Sequence, residues 1–161
     1  MTNTRAPIAF GTDGWRGRIA RDLTFESLGR VVAAAGRWAR DAGNTEAGDP
    51  DTIVFVHDTR FLSPELALHG AELLAGQGFE VLLSDRAVPT PCASWHVATR
   101  GLRMGLAVTA SHNPAEWNGV KVKSRFGGSA MPATYDAIAR SADDPLPARP
   151  GGAVRRTDLV T

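Results

Sequence analysis

The stretch VTASHNPAEWNGVKVK, residues 108–123, brings hydroxyl, imidazole and amine side chains into one short segment. Ser111 and His112 are adjacent, and Lys121 and Lys123 follow the dipeptide Asn118-Gly119. A serine hydroxyl can attack a substrate, carry a phosphoryl group or cap a helix. The flanking residues and the elements that position them must discriminate among these roles.

Hydrolysis by a serine needs a base within hydrogen-bond reach, an orienting acid and usually a tight G-x-S-x-G elbow. The flanks of Ser111 are Thr109, Ala110, His112 and Asn113, so both elbow glycines are missing. A histidine adjacent in sequence cannot easily point its ring at its neighbour's hydroxyl. A hydrolase is therefore the weakest hypothesis, and ester hydrolysis that Ser111→Ala abolishes would be its sign.

Phosphoryl transfer needs cations and backbone N–H groups to hold oxygens, and a proton acceptor near the attacking hydroxyl. The loop FGTDGWRG, residues 10–17, is rich in glycine and carries Arg16. Because side chains alternate along a strand, GVKVK places Lys121 and Lys123 on one face. A free lysine, with a pKa of about 10.4, is a poor base near neutrality, so a lysine base requires burial or a neighbouring positive charge. Lys123 is the candidate neighbour.

The elements that must position these residues follow a regular order. Thr24 caps an amphipathic helix that ends before Gly43, and the apolar run IVFV then predicts a buried strand. Ser63-Pro64 and Thr90-Pro91 are cap and first-turn proline signals for two more helices. Further strands are predicted at 79–83, 104–109 and 119–123, and a last helix at Pro132–Arg140. The order predicts an α/β fold, a three-layer α/β/α sandwich with a mixed, largely parallel sheet.

In such a sheet, ligands gather at the carboxyl ends of the parallel strands. Ser111 lies just beyond a strand that ends near Thr109, and His57-Asp58 follows IVFV at the same predicted edge. From Ser141 onward the chain is dense in proline, glycine and charge. Residues 1–140 are therefore predicted to form the domain, and residues 141–161 a linker toward an absent second domain.

Composition excludes several classes of function. The chain has 161 residues, and 18 Lys and Arg against 17 Asp and Glu give a net charge of +1, without a basic run. A nucleic-acid or membrane-surface partner gains no support. The apolar runs are short and the N-terminus lacks a signal-peptide core, so a cytoplasmic protein is expected. The single cysteine, Cys92, has no partner for a disulfide or a zinc cluster.

Three motifs, FGTDGWRG, TASHNP and NGVKVK, occur in this order and closely resemble the first domain of the α-D-phosphohexomutases, the phosphoglucomutase/phosphomannomutase family. The resemblance runs over residues 8–128 and includes HDTRFLSPELA and SDRAVPTPCASW. It implies an isomerase that interconverts hexose 1-phosphate and hexose 6-phosphate through a bisphosphate intermediate. Ser111 would be carried as a phosphoserine, which donates its phosphoryl group and recovers it.

The resemblance also implies roles for the other residues. Lys121 falls at the position of the general acid or base, and His112 and Arg16 at positions that assist around the phosphoserine. Substrate-binding or local roles fall to Asn113, Asn118 and Lys123. The implied cofactors are Mg²⁺, held through the Ser111 phosphate and an acidic loop of the second domain, and hexose 1,6-bisphosphate as activator.

The family's enzymes have four domains, and this chain matches only the first. The sequence lacks the acidic metal loop, the sugar-reading loop and the phosphate-clamping segment, which the family carries in its other domains. The chain alone is therefore not expected to be a competent mutase. Its expected partners are hexose phosphates and the remaining domains. Trp15 favours a substrate with glucose or mannose over one with glucosamine, since phosphoglucosamine mutases usually have the sequence FGTDGVRG in this loop. A non-catalytic phosphosugar-binding module is the alternative, and retention of both Ser111 and Lys121 argues against it.

Overall fold

The computed structural model describes residues 7–41, 50–145 and 152–160. The strands in these ranges are β1 (Phe10–Gly11), β2 (Gly14–Arg18), β3 (Thr52–His57), β4 (Glu80–Ser84), β5 (Met104–Val108), β6 (Trp117–Lys123) and β7 (Ala153–Thr157). The helices are α1 (Phe25–Arg40), α2 (Ser63–Gly76), α3 (Thr90–Arg100) and α4 (Pro132–Arg140). None of these helices is long and apolar enough to cross a membrane.

The strands form one mixed sheet in the order β1-β2-β6-β5-β3-β4-β7. The pairs β5–β3, β3–β4 and β4–β7 are parallel, and β1–β2, β2–β6 and β6–β5 are antiparallel. One face packs on α1, α2 and α4 through strand residues such as Ile53 and Phe55. The other face packs on α3 through Val54 and Val56. The predicted three-layer α/β/α sandwich is confirmed.

Of the three predicted helix caps, only the one at Thr24 is confirmed. The Thr24 hydroxyl accepts from the Ser27 amide at 3.1 Å, and the Ser27 hydroxyl accepts from the Thr24 amide at 2.8 Å. Helices α2 and α3 have no side-chain cap, so the cap predictions at Ser63 and Thr90 are wrong. Ser63 is fully buried, and its hydroxyl donates instead to Asp58.

The chain changes direction across the sheet at β3. It runs from β3 through α2 to β4, then returns through α3 to β5 on the other side of β3. The loops that follow β3 and β5 therefore leave the sheet side by side, and the Asp58 amide donates to the Val108 carbonyl at 3.1 Å. Reversals of this kind create the crevice in which open α/β sheets bind ligands.

The predicted linker over residues 141–161 requires a correction. Ala153–Thr157 is a strand of the sheet, paired parallel with β4, and Leu159 beyond it is fully buried. Main-chain hydrogen bonds at a sheet edge and one buried leucine hold this segment, so it needed no run of apolar residues. Residues 152–160 thus belong to the domain, while 146–151 lie outside the described ranges. A second domain beyond them stays a prediction.

Candidate functional site

The serine loop, residues 109–116, connects β5 to β6 and has a constrained backbone. Ser111 is exposed and has a φ of 59°, in the left-handed region that residues other than glycine rarely adopt. Its amide donates to the Thr109 hydroxyl at 2.9 Å, and the Asn113 amide donates to the Ala110 carbonyl at 3.1 Å. Unusual backbone conformations of this kind cluster at active sites and ligand clamps.

Arg60 holds the serine loop from the neighbouring loop after β3. Its Nη1 donates to the carbonyls of Pro114 and Trp117 at 2.8 and 3.0 Å. Its Nη2 donates to the carbonyls of Ser111 and Asn113 at 2.9 and 2.6 Å. One guanidinium therefore satisfies four carbonyls of the loop and its exit into β6, which fixes the position of the serine.

Asp58 and Asn118 anchor Arg60 and the loop before α2. The Asp58 carboxylate accepts from the Arg60 amide at 2.9 Å and from the Ser63 hydroxyl at 2.8 Å. Asn118, fully buried, donates through Nδ2 to the Ser63 hydroxyl at 2.8 Å and to the Phe61 carbonyl at 3.3 Å. The amide of Asn118 thus joins β6 to this loop, and a substrate contact for it stays a prediction.

The two lysines of β6 face a carboxylate from the opposite end of the domain's sequence. Lys121 Nζ lies 2.6 Å from Asp13 Oδ2, and Lys123 Nζ lies 3.7 Å from Asp13 Oδ1. The Ser129 hydroxyl donates to Asp13 Oδ1 at 2.8 Å and accepts from Lys123 Nζ at 2.9 Å. We call these four residues the Asp13 network.

The environment of Asp13 favours its charged form. Burial raises the pKa of the Asp13 carboxyl, but hydrogen bonds from Lys121 and Ser129 and the charge of Lys123 outweigh burial and hold the pKa below its ordinary value of 3.8. Asp13 is therefore a carboxylate at neutral pH, opposed by two amines.

Arg16 lies on the same sheet face as these amines, because it pairs across β2 and β6 with Gly119, two residues before Lys121. The strands approach so closely that a Cβ on Gly119 would lie 2.1 Å from the Trp15 carbonyl. The Arg16 Nε is buried and has no hydrogen-bond partner in the described ranges. A buried N–H without a partner is rare, and an anionic ligand would satisfy it.

The remaining predicted residues, His112 and Asn113, lie in the serine loop. His112 is exposed, and Asn113 is half-buried with its carbonyl bonded to Arg60. Three further residues of the site, Arg60, Asp13 and Ser129, are not among those predicted from the sequence. The HDTR and FGTDGWRG stretches contain Arg60 and Asp13, but nothing in either stretch marks which side chain reaches the site.

The part of the chain that the structure describes contains no group of three or more His, Cys, Asp or Glu side chains that could hold a metal ion. Asp13, the carboxylate nearest to the lysines, is already bonded to Lys121 and Ser129.

The fold and the site define an α/β/α domain that presents an exposed serine hydroxyl at the switch point of its sheet, with lysines and an arginine on an adjacent pair of strands. Residues 7–147 match the family model described as phosphoglucomutase/phosphomannomutase, alpha/beta/alpha domain I. The chain belongs to this family, within the phosphohexomutase superfamily, and the resemblance carried by its three motifs is confirmed.

Several known proteins resemble the chain over much of its length. It is 32% identical over 154 residues to a phosphoglucosamine mutase of Thiobacillus denitrificans, covering 92% of this chain and 33% of the relative. It is 34% identical over 90 residues to a phosphoglucomutase of Staphylococcus saprophyticus, covering 56% and 16%. A Thermus thermophilus structure assigned as a phosphomannomutase is 40% identical, with a TM-score of 0.83 and coverage of 96% and 34%. The chain spans about a third or less of the length of these relatives.

Proposed function

We propose that this chain is the phosphoserine-bearing domain of a larger mutase that interconverts hexose 1-phosphate and hexose 6-phosphate. The observation that carries the proposal is the state of Ser111, an exposed hydroxyl on a left-handed backbone that Arg60 fixes through the loop carbonyls. A group that must be phosphorylated and dephosphorylated in each cycle needs this combination of access and fixed position. Membership in the mutase family supports the same reaction.

In the proposed reaction, a sugar hydroxyl attacks the phosphorus on Ser111. The new O–P bond forms while the bond from Ser111 Oγ to phosphorus breaks, and the hydroxyl proton must reach Oγ. Lys121 relays it: its ammonium protonates Oγ and its amine then accepts the proton of the hydroxyl. In the second half-reaction, Ser111 Oγ attacks the other phosphate of the hexose 1,6-bisphosphate. The new bond from Oγ to phosphorus forms while the sugar O–P bond breaks, and Lys121 relays the proton of Oγ to the sugar oxygen, which leaves Ser111 phosphorylated again.

His112, Asn113 and Arg16 are proposed to contact the transferring phosphoryl group or the sugar phosphate. The unpartnered Nε of Arg16 supports this role, because a phosphate oxygen would supply the missing acceptor. Lys123 differs, since its side chain is only 9% exposed and its amine is bonded to Ser129. Its proposed contribution is through the Asp13 network.

Mg²⁺ at this site would supply positive charge to the transferring phosphoryl group. This chain contributes Ser111, whose phosphate could offer an oxygen ligand, and we propose that the carboxylate ligands come from another domain. Because positioning and preorganised charge supply most of the rate of phosphoryl transfer, we expect this chain alone to turn over very slowly.

The sugar preference of the mutase is also a proposal, and the choice lies between glucose or mannose on one side and glucosamine on the other. We favour glucose or mannose, on Trp15 of the first loop, although phosphoglucosamine mutases stand among the relatives. Trp15 is only 4% exposed, so it cannot distinguish sugars by direct contact. Comparing kcat/KM for the three sugar 1-phosphates in the longer protein tests the preference directly.

A first experiment tests the phosphoserine. The purified chain is incubated with glucose 1,6-bisphosphate and Mg²⁺, followed by intact-mass measurement and peptide mapping. We expect one added phosphoryl group on Ser111, and none on a Ser111→Ala control. In the longer protein, Ser111→Ala should abolish turnover. Binding of hexose phosphate without label at Ser111, in both the chain and the longer protein, would favour the non-catalytic binding module instead.

A further inference from the structure

The chain uses arginine for nearly all of its positive charge. Of its 18 Lys and Arg residues only two are lysine, Lys121 and Lys123, so 18 less 2 leaves 16 arginines. Arginine stays protonated at every accessible pH, whereas a lysine amine can lose its proton and act in proton transfer. The only two lysines lie two residues apart on one strand face and share one carboxylate, Asp13.

Asp13 reaches the lysines from the tip of a tight hairpin. It lies in the turn between Gly11 and Gly14, which pair with each other at the end of β1 and β2. Gly14 has a φ of 107°, and a Cβ there would lie 2.5 Å from the Val120 carbonyl of β6. Glycine thus allows the turn to lie directly against β6, which brings the Asp13 carboxylate to the amines.

The two oxygens of Asp13 have different partners. Oδ2 lies 2.6 Å from the amine of Lys121, whereas Oδ1 accepts from Ser129 and faces Lys123. Lys121 and Asp13 share one hydrogen bond, and an ammonium group has three N–H donors. In the described ranges Asp13 is the hydrogen-bond partner found for Lys121, so two of its N–H groups remain for a substrate or for Ser111.

We propose that Asp13 is a positioning residue for Lys121, and that Ser129 and Lys123 fix Asp13 in turn. The proposal rests on the proposed function, because it presumes that Lys121 transfers protons at Ser111. Lys121 lies opposite Ala107 of β5, the strand that leads into the serine loop. An amine on a long flexible side chain has many rotamers, and the carboxylate selects one of them. Lys123 acts within the network and does not contact the substrate.

A direct test uses the scarcity of lysine in the chain itself. With ¹⁵N-lysine labelling, the side-chain ammonium region of an NMR spectrum contains signals from two residues only, and Lys121→Arg assigns them. We expect Asp13→Asn to accelerate hydrogen exchange at the Lys121 ammonium by at least about 10-fold, because the ion pair protects it. An unchanged Lys121 signal in a folded Asp13→Asn variant would overturn the proposal.

A matched control exists at the start of β3, at the residue that precedes this strand. The Asp51 carboxylate also bridges two cations, with Oδ2 3.1 Å from Arg40 Nη1 and Oδ1 3.0 Å from Arg103 Nη2. Asp51→Asn therefore removes the same charge from the same kind of contact, and both lysine signals should stay unchanged. Loss of the Lys121 signal in both variants would indicate a general loss of structure and would contradict a specific role for Asp13.

The catalytic consequence is measured in the longer protein. Asp13→Asn should lower kcat at least about 10-fold with KM within about 3-fold, because proton transfer is made only in the transition state. Asp13→Glu, which restores the charge, should recover part of kcat, and Asp51→Asn should behave as wild type. A normal kcat, or a change in KM alone, would overturn the positioning role. An active Ser111→Ala would instead refute the phosphoserine, whatever the result at Asp13.

Discussion

Asp13 and Lys121 are separated by 108 positions in the chain, and their charged atoms lie 2.6 Å apart in the fold. The interaction is formed only in the native state, so it links stability to pH. The pKa of the folded Asp13 carboxyl lies below 3.8, the ordinary value expected in the unfolded chain. The stabilising contribution is therefore present above pH 3.8 and is lost as pH falls through the lower, folded value.

We predict that Asp13→Asn destabilises the chain at pH 7 and has little effect at acidic pH. The loss should stay below about 1 kcal/mol, because the side chain is a third exposed and solvent screens the pair. Chemical denaturation at the two pH values measures the difference. An equal loss at both would show that the aspartate contributes through packing and not through its charge.

At the scale of elements, the serine loop depends on a side chain that is not part of it. Arg60 follows β3, yet its guanidinium donates to the carbonyl of the serine itself and to three carbonyls after it. The fork of a guanidinium supplies several donors in fixed directions, whereas a lysine amine has one nitrogen. The conformation of the loop should therefore depend on arginine at this position and not on positive charge alone.

We predict that Arg60→Lys lowers the free energy of unfolding by about 2 kcal/mol, because charged hydrogen bonds to carbonyls are lost. Amide hydrogen exchange in residues 109–117 should accelerate, and phosphorylation of Ser111 should slow. Arg155→Lys is the control: Arg155 is exposed, with one ion pair to Glu80 at 3.3 Å, and should change stability by less than about 0.5 kcal/mol. Unchanged amide hydrogen exchange in Arg60→Lys would contradict this prediction and would mean that water satisfies the loop carbonyls in place of the guanidinium.

The same elements explain what the sequence could predict. Thr24 followed by helically spaced apolar residues, and the buried run IVFV, are local signals, and the predicted helix and strand are confirmed. Ser63 carries an equally good cap signal, but its hydroxyl joins Asp58 and Asn118, and such tertiary bonds leave no local pattern. Arg60 was missed for the same reason, since its partners lie more than 50 residues away.

For the whole molecule, the segment after α4 completes the sheet. Strand β7 covers the edge of β4, and Leu159 packs with Val88, Ala93 and Val97 on the α3 side. The sequence AVRRT has a weak apolar pattern, and no residue of this edge strand is fully buried. Proline and glycine before it suggested a linker, and the pairing with β4 was not predictable from composition.

We predict that Leu159→Ala lowers the free energy of unfolding by about 2 to 3 kcal/mol, as expected for a fully buried leucine. Val160→Ala, at a neighbouring side chain that is 47% exposed, should change it by less than about 0.5 kcal/mol. Urea denaturation of the whole chain measures both. Equal, small effects would mean that residues 152–160 are detachable from the domain.

The left-handed backbone at Ser111 restricts which mutations this position can accept during evolution. Threonine keeps the hydroxyl, but its branched Cβ makes a positive φ costly. Glycine and asparagine suit the backbone and lack the hydroxyl. Each of these three substitutions thus keeps either the hydroxyl or the backbone conformation and loses the other. Stepwise replacement of serine through partly functional variants is therefore blocked. Lineages that lose the chemistry should show glycine or asparagine here far more often than threonine.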